Sequence, residues 1–91
     1  MAINTNQYAI DGTAVLIADQ SPSGCRIHVH NTDQATPVFL GGDNTVTSST
    51  GYRVDGKDKF EFVLHPNEKL FAICSNGQNA VIAVLRQTQY V

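Results

Sequence analysis

Two histidines, His28 and His30, stand two positions apart in the run Cys25-Arg26-Ile27-His28-Val29-His30. On an extended chain that spacing aims both imidazoles at one face. Two imidazoles on one strand face are half of a metal site, because neutral imidazole nitrogen ligates zinc, copper, iron and nickel. His65 supplies a third candidate nitrogen, and Asp33 or Glu68 a candidate carboxylate. The same alternation sends Cys25, Ile27 and Val29 to the opposite face. If those apolar side chains fill a core, the histidines lie outside it, and the expectation is no metal and no cofactor.

A His-x-His strand resembles the cupins, metal-binding jelly rolls. The resemblance breaks where the cupin pattern needs a carboxylate a few residues beyond the pair, since no glutamate stands there. Other chemistries are no better supplied. Ser21, Ser23, Ser48, Ser49 and Ser75 lie in turn-rich segments, outside any Gly-x-Ser-x-Gly elbow. Asp55, Asp58 and Glu61 read as a solvated edge rather than as carboxylates facing across a cleft. Gly41-Gly42 lacks the lysine and helix of a phosphate loop. Cys25 and Cys74 each sit in an alternating apolar run, where a thiolate is disfavoured, and are expected as two buried free thiols. No catalytic residue is assigned, and the expectation is a protein that is not an enzyme.

The elements that must position these groups are strands. Period-two alternation recurs along the chain, most clearly in Cys25–His30 and in Lys59–Leu64, where Phe60, Phe62 and Leu64 point inward. Further strands are expected at Gln7–Ile10, Ala14–Ala18, Pro37–Leu40, Gly51–Val54, Leu70–Ser75 and Ala80–Arg86. The last is continuously apolar and reads as a central strand buried on both faces. Asp11-Gly12, Asp55-Gly56 and Asn76-Gly77 favour tight hairpin turns, in which both positions tolerate positive φ. About eight short, mostly antiparallel strands in 91 residues predict a single all-β domain over residues 1–91, a β-sandwich or jelly roll. Residues 1–8 carry little apolar pattern and read as an extended N-terminal arm.

Six basic against eight acidic residues give a net charge of -2, and the basic ones form no cluster. A surface that tracks phosphates needs a basic face, so no nucleic-acid partner is expected. No apolar run approaches the ~20 residues of a membrane helix, and the first residues lack the basic and apolar regions of a leader. No membrane partner is expected and no export. The polar loop Asp43–Tyr52 offers Tyr52 as a stacking platform with Asp43 or Asn44 as hydrogen-bond partners, which is the chemistry of a carbohydrate site.

From residue 37 onward the order of features resembles small virion proteins of tailed bacteriophages. The resemblance is carried by Pro37-Val38-Phe39-Leu40-Gly41-Gly42, Ser49-Thr50-Gly51-Tyr52, Phe60–Leu64, Pro66-Asn67-Glu68, Leu70-Phe71-Ala72-Ile73 and Ala80–Leu85, with Arg26–Asn31 and Asp33 upstream. It implies a head decoration or minor capsid protein on the virion surface, made in the host cytoplasm. The implied partners are the major capsid protein and further copies of the chain, with a homotrimer favoured. Ile3, Tyr8, Phe39, Tyr52 and Tyr90 are the interface residues expected on this reading.

Overall fold

The computed structural model describes residues 2–19 and 24–88, with backbone alone at Ala2, Phe62 and Thr88. Eight strands run β1 (Ala2–Ile10), β2 (Val15–Ala18), β3 (Cys25–Asn31), β4 (Val38–Gly41), β5 (Tyr52–Val54), β6 (Lys59–Leu64), β7 (Leu70–Ile73) and β8 (Ala80–Thr88). They form two four-stranded sheets, ordered β1-β8-β3-β6 and β2-β7-β4-β5, with every pairing antiparallel. The pairs are nested: β1 with β8, β2 with β7, β3 with β6, β4 with β5. Contacts of β3 with β8 and β4 with β7 complete the sheets. A ribbon of nested pairs rolled onto itself is a jelly roll, and the expected all-β sandwich is the observed fold.

Nesting changes the meaning of the turns. The Asp11-Gly12, Asp55-Gly56 and Asn76-Gly77 segments each carry the chain from one sheet to the other and not between paired neighbours. Their geometry follows suit. In the turn closed by Asp58 N–H on Asp55 C=O the positive φ falls on Lys57, at 69°. In the turn closed by Gln78 N–H on Ser75 C=O it falls on Gly77 alone. The expected two-residue hairpins are therefore absent among the described residues. Consecutive strands pair only once, at β4 and β5, and the long loop joins them.

Residues 2–8 are not a free arm. They belong to β1, which pairs with β8 in unbroken register from Ala2 opposite Thr88 to Ile10 opposite Ala80. Its residues from Ile3 to Gln7 are exposed, so backbone hydrogen bonds to β8, rather than side-chain burial, hold most of its length. Without an alternating apolar signal the strand cannot be told from a tail. β8 in turn is central in its sheet but buried on one face only. Ala80, Ile82 and Val84 are buried, whereas Val81 and Leu85 face solvent.

The main core lies between the sheets. Ile10, Ile27, Val29 and Ile82 from one sheet meet Val38, Leu40, Leu70 and Ala72 from the other, with Phe60 packed at the margin. The side chain of Phe62 falls outside the described ones. A second cluster sits on the outer face of the β2-β7-β4-β5 sheet, where Phe39 and Ile73 are covered by Val46 from the long loop. That loop satisfies its own polar groups. Asp43 accepts from the Thr45 N–H at 3.0 Å and from its hydroxyl at 2.6 Å, and Thr47 C=O accepts the Thr50 and Gly51 N–H groups.

Val46 can lie flat only because Gly41 and Gly51 lack side chains. A Cβ at Gly41 would stand 2.5 Å from Val46 Cγ2, and one at Gly51 would stand 2.7 Å from Phe39 Cβ. Adjacent Gly42 has open space. Gly41→Ala is expected to lower stability by about 1–3 kcal/mol through displacement of Val46, while Gly42→Ala stays within about 0.5 kcal/mol. Urea denaturation of the two variants checks the pair, and equal midpoints would show that the loop is not packed down.

Candidate functional site

Register sorts the outer face of the β1-β8-β3-β6 sheet into rows. Ile3, Gln87, Arg26 and Val63 form one row, Thr5, Leu85, His28 and Glu61 the next, and Gln7, Ala83, His30 and Lys59 the third, with Ala9 and Val81 beyond. Of the six exposed large hydrophobics among the described residues, Ile3, Val63, Val81 and Leu85 all fall on this face. A shallow groove of about 500 Å³ crosses it between Thr5, Gln7, His28, His30 and Leu85. Arg26 and Lys59 stand against Glu61, so a chain of net charge -2 presents a face that is not acidic.

The histidines thus lie outside the core, as the alternation of β3 requires. His28 Nε2 reaches Glu61 Oε2 at 2.8 Å, with both side chains about half exposed. Such an exposed pair contributes at most about 1 kcal/mol. His65 lies four residues beyond Glu61, roughly 13 Å along the strand direction at 3.3 Å per residue. Its N–H is taken by Glu68 Oε1 at 2.8 Å, and the two close the β6–β7 turn. Asp33 is engaged in its own loop, where the Thr36 and Ala35 N–H groups hold its carboxyl below the usual range. His28, His30, His65, Asp33 and Glu68 are therefore not brought together, and no group of three metal-ligating side chains occurs among the described residues.

Both cysteines are free and buried. Cys25 pairs with Thr88 at one end of β8, and Cys74 Sγ donates to Ile10 C=O, beside Ala80, at the other end. Eight residues of strand separate those ends, roughly 27 Å. A disulfide needs Cα atoms within about 7 Å, so the thiols of one chain cannot bridge. Burial pushes the Cys74 thiol up, and Asp11 and Asp33 add to the shift.

The carbohydrate constellation read from the long loop is not assembled. Asp43 serves Thr45, which holds its carboxyl below the usual range through the hydroxyl and then the N–H. Tyr52 points away from the loop and packs on Phe60, with ring centroids 4.7 Å apart and planes tilted by 38°. The two rings border an apolar groove of about 700 Å³ at the edge where β6 faces β4 and β5, lined further by Leu40, Val63, Leu64 and Leu70. Of the expected interface residues, Ile3 and Tyr52 are exposed, while Tyr8 is half-buried and packs on the core. Phe39 is a correction: it is 7% exposed, because Val46 covers the face it occupies. Tyr90 lies outside the described residues.

Sequence reasoning gave no role to Asn31, which lies one residue beyond the expected strand Cys25–His30. Asn31 closes β3 at the next inward position after Cys25, Ile27 and Val29, and it is fully buried. Its Nδ2 donates to Thr36 C=O at 2.8 Å and to Val54 C=O at 3.1 Å, and its Oδ1 accepts the Asp33 N–H at 3.1 Å. Polar residue, inward parity and strand end together were the signal.

Neither a protein-family model nor a curated protein matches the sequence. Among solved structures the chain is similar to a protein of Bacillus endospore appendages, described as disulfide-linked pili, with TM-score 0.62 and 14% identity over 98% of this chain and 87% of that one. It is also similar to an RmlC-like cupin from Shewanella frigidimarina, with TM-score 0.56 and 10% identity over 96% of this chain and 67% of that one. A third likeness is to PliG of Aeromonas hydrophila, a periplasmic inhibitor of g-type lysozyme, with TM-score 0.54 and 10% identity over 96% and 86%. At such identities the likeness establishes the sandwich and no activity.

Two measurements test this geometry. Asn31→Ala removes the amide donor from the buried Val54 contact and the part-buried Thr36 contact, so a loss of about 1–3 kcal/mol is expected in urea denaturation; a loss below ~0.5 kcal/mol would show that water replaces the amide. For Cys74, a thiol harder to ionise when folded gives stability that is complete below pH 9.0, the ordinary value, and falls as pH rises beyond it. The alkaline fall is expected to be shallower in Cys74→Ala, and identical slopes would show that the thiol ionises freely in the fold.

Proposed function

We propose that this chain is a structural virion protein of a tailed bacteriophage, which binds the outside of the capsid through the exposed face of its β1-β8-β3-β6 sheet. The observation that carries the reading is the gathering of Ile3, Val63, Val81 and Leu85 on that one face, set among Arg26, His28, His30 and Lys59. The sequence features from Pro37 to Leu85 that resemble phage virion proteins support it from a separate direction.

The mechanism is adhesion. Apolar side chains at solvent lose water on docking, at roughly 25 cal/mol per Å² removed. The polar groups between them set orientation rather than affinity. A face of this size binds weakly alone, and many copies on a lattice multiply the effect through effective concentration. Stiffness comes from the two-sheet core, so binding adds a rigid plate to the shell.

The test is sedimentation of purified protein with undecorated capsids. Parent protein is expected in the pellet, and Leu85→Glu and Val81→Glu, both at solvent-facing positions of β8, are expected to bind at least tenfold more weakly with unchanged urea midpoints. A parent that stays in the supernatant, or variants that pellet as well as the parent, would overturn the reading.

A further inference from the structure

Among the described residues the two sheets end in four edge strands, and three of them are blunted. β2 has four residues with a register shift between Leu16 and Ala18. β5 has three residues and carries the exposed Arg53, paired with Asp55 just beyond its end. β6 carries Lys59 and Glu61, with Lys57 and Asp58 immediately before it. Short length, bulges and charge are the devices by which sheet edges resist pairing with other chains.

The β1 edge has none of them. It is nine residues long, Ala2-Ile3-Asn4-Thr5-Asn6-Gln7-Tyr8-Ala9-Ile10, without charge, proline, glycine or bulge. About 30 Å of unbulged backbone at 3.4 Å per residue therefore presents N–H and C=O groups on the side away from β8.

The order of residues names the occupant. Reversed onto itself with Asn6 on a two-fold axis, the strand places Ile3 opposite Ala9, Ala2 opposite Ile10, Thr5 opposite Gln7, and Asn4 opposite Tyr8. Apolar meets apolar and polar meets polar at each position. Positions paired in this way always share parity, so residues whose backbone groups point outward meet residues of the same kind. About eight to ten backbone hydrogen bonds result, with no charge to desolvate. On the outer face the exposed Ile3 comes beside the partner copy's Ala9, whose own neighbour is the exposed Val81. Self-complementarity about a two-fold is the property of an isologous interface.

We infer that β1 is a dimerisation edge, on which a second copy of this chain adds its own β1 antiparallel, centred on Asn6, to make one continuous eight-stranded sheet. The inference goes beyond capsid binding and is tested without capsid. It also differs from the trimer that the family resemblance implies, because an antiparallel strand pair is two-fold by construction.

Sedimentation equilibrium of the full chain, from micromolar to millimolar, is expected to give twice the chain mass of 9.9 kDa. Asn6→Lys, at an exposed position, sets two ammonium groups side by side on the axis and is expected to weaken dimerisation at least tenfold, with circular dichroism and urea midpoint of the monomer unchanged. Asn6→Asp is expected to do the same alone, and an equimolar mixture of the two variants to recover the dimer as a one-to-one heterodimer. That recovery requires Asn6 to face its own copy, and a merely destabilised fold cannot produce it. A parent that remains monomeric or forms trimers, an Asn6→Lys protein as dimeric as the parent, or a mixture that fails to recover would each overturn the inference.

Discussion

The amide of Asn31 ties the two sheets together at one end of the sandwich. β3 brings it in from one sheet; Val54 belongs to the other; Thr36 lies on the crossover between them. Its backbone is as fully engaged as its side chain, accepting the Lys57 N–H and donating to Asp58 C=O in the β5–β6 crossover. A buried carbonyl without a donor is costly, so both crossovers are fixed where this residue can reach them. They then press against each other. A Cβ at Gly56 would stand 2.6 Å from Gln34 C=O, and the left-handed conformation in that turn falls on Lys57 instead. The Tyr52–Phe60 contact closes the neighbouring margin, where β5 and β6 come from different sheets.

The strands were legible because a half-buried sheet writes its pleat into the sequence. Cys25–Asn31 alternates buried and exposed without a break, and the eight expected strands all occur, with ends shifted by a few residues except in β1. What could not be read is pairing. Asp-Gly and Asn-Gly mark a reversal of the chain, but nothing local says whether the next strand returns alongside the last or crosses to the other layer. The nested order is decided by which apolar faces must meet, a property of the whole chain. The first half of β1, ahead of the expected Gln7–Ile10, was invisible for another reason, since Asn4, Thr5 and Asn6 are held by backbone pairing, which has no side-chain signature.

Of the candidate site, the facing of the two histidines was legible. Parity in β3 sent the imidazoles outward, and the structure places them there, His28 beside Glu61 and His30 opposite Lys59. The long loop misled, because a polar segment with one aromatic resembles a ligand site, while its one aliphatic residue, Val46, turned out to decide its conformation. Exposed Ile3 and buried Phe39 make the same point: an apolar side chain is informative for binding only once the structure shows which face is already covered.

The nested order has a kinetic corollary. Ile10 meets Ala80 and Ala2 meets Thr88, so the first strand waits for the last before its sheet can close. Among the described residues the only pair between successive strands is β4 with β5, which makes that hairpin and its packed loop the natural nucleus, with later pairs laid on outward from it. Loop-closure entropy then has to be met repeatedly before the outermost contacts form, which makes folding slow for a domain of this size. During synthesis, β1 emerges from the ribosome as a long uncharged strand well before its partner, the stage at which nascent chains of this protein are most open to pairing with one another.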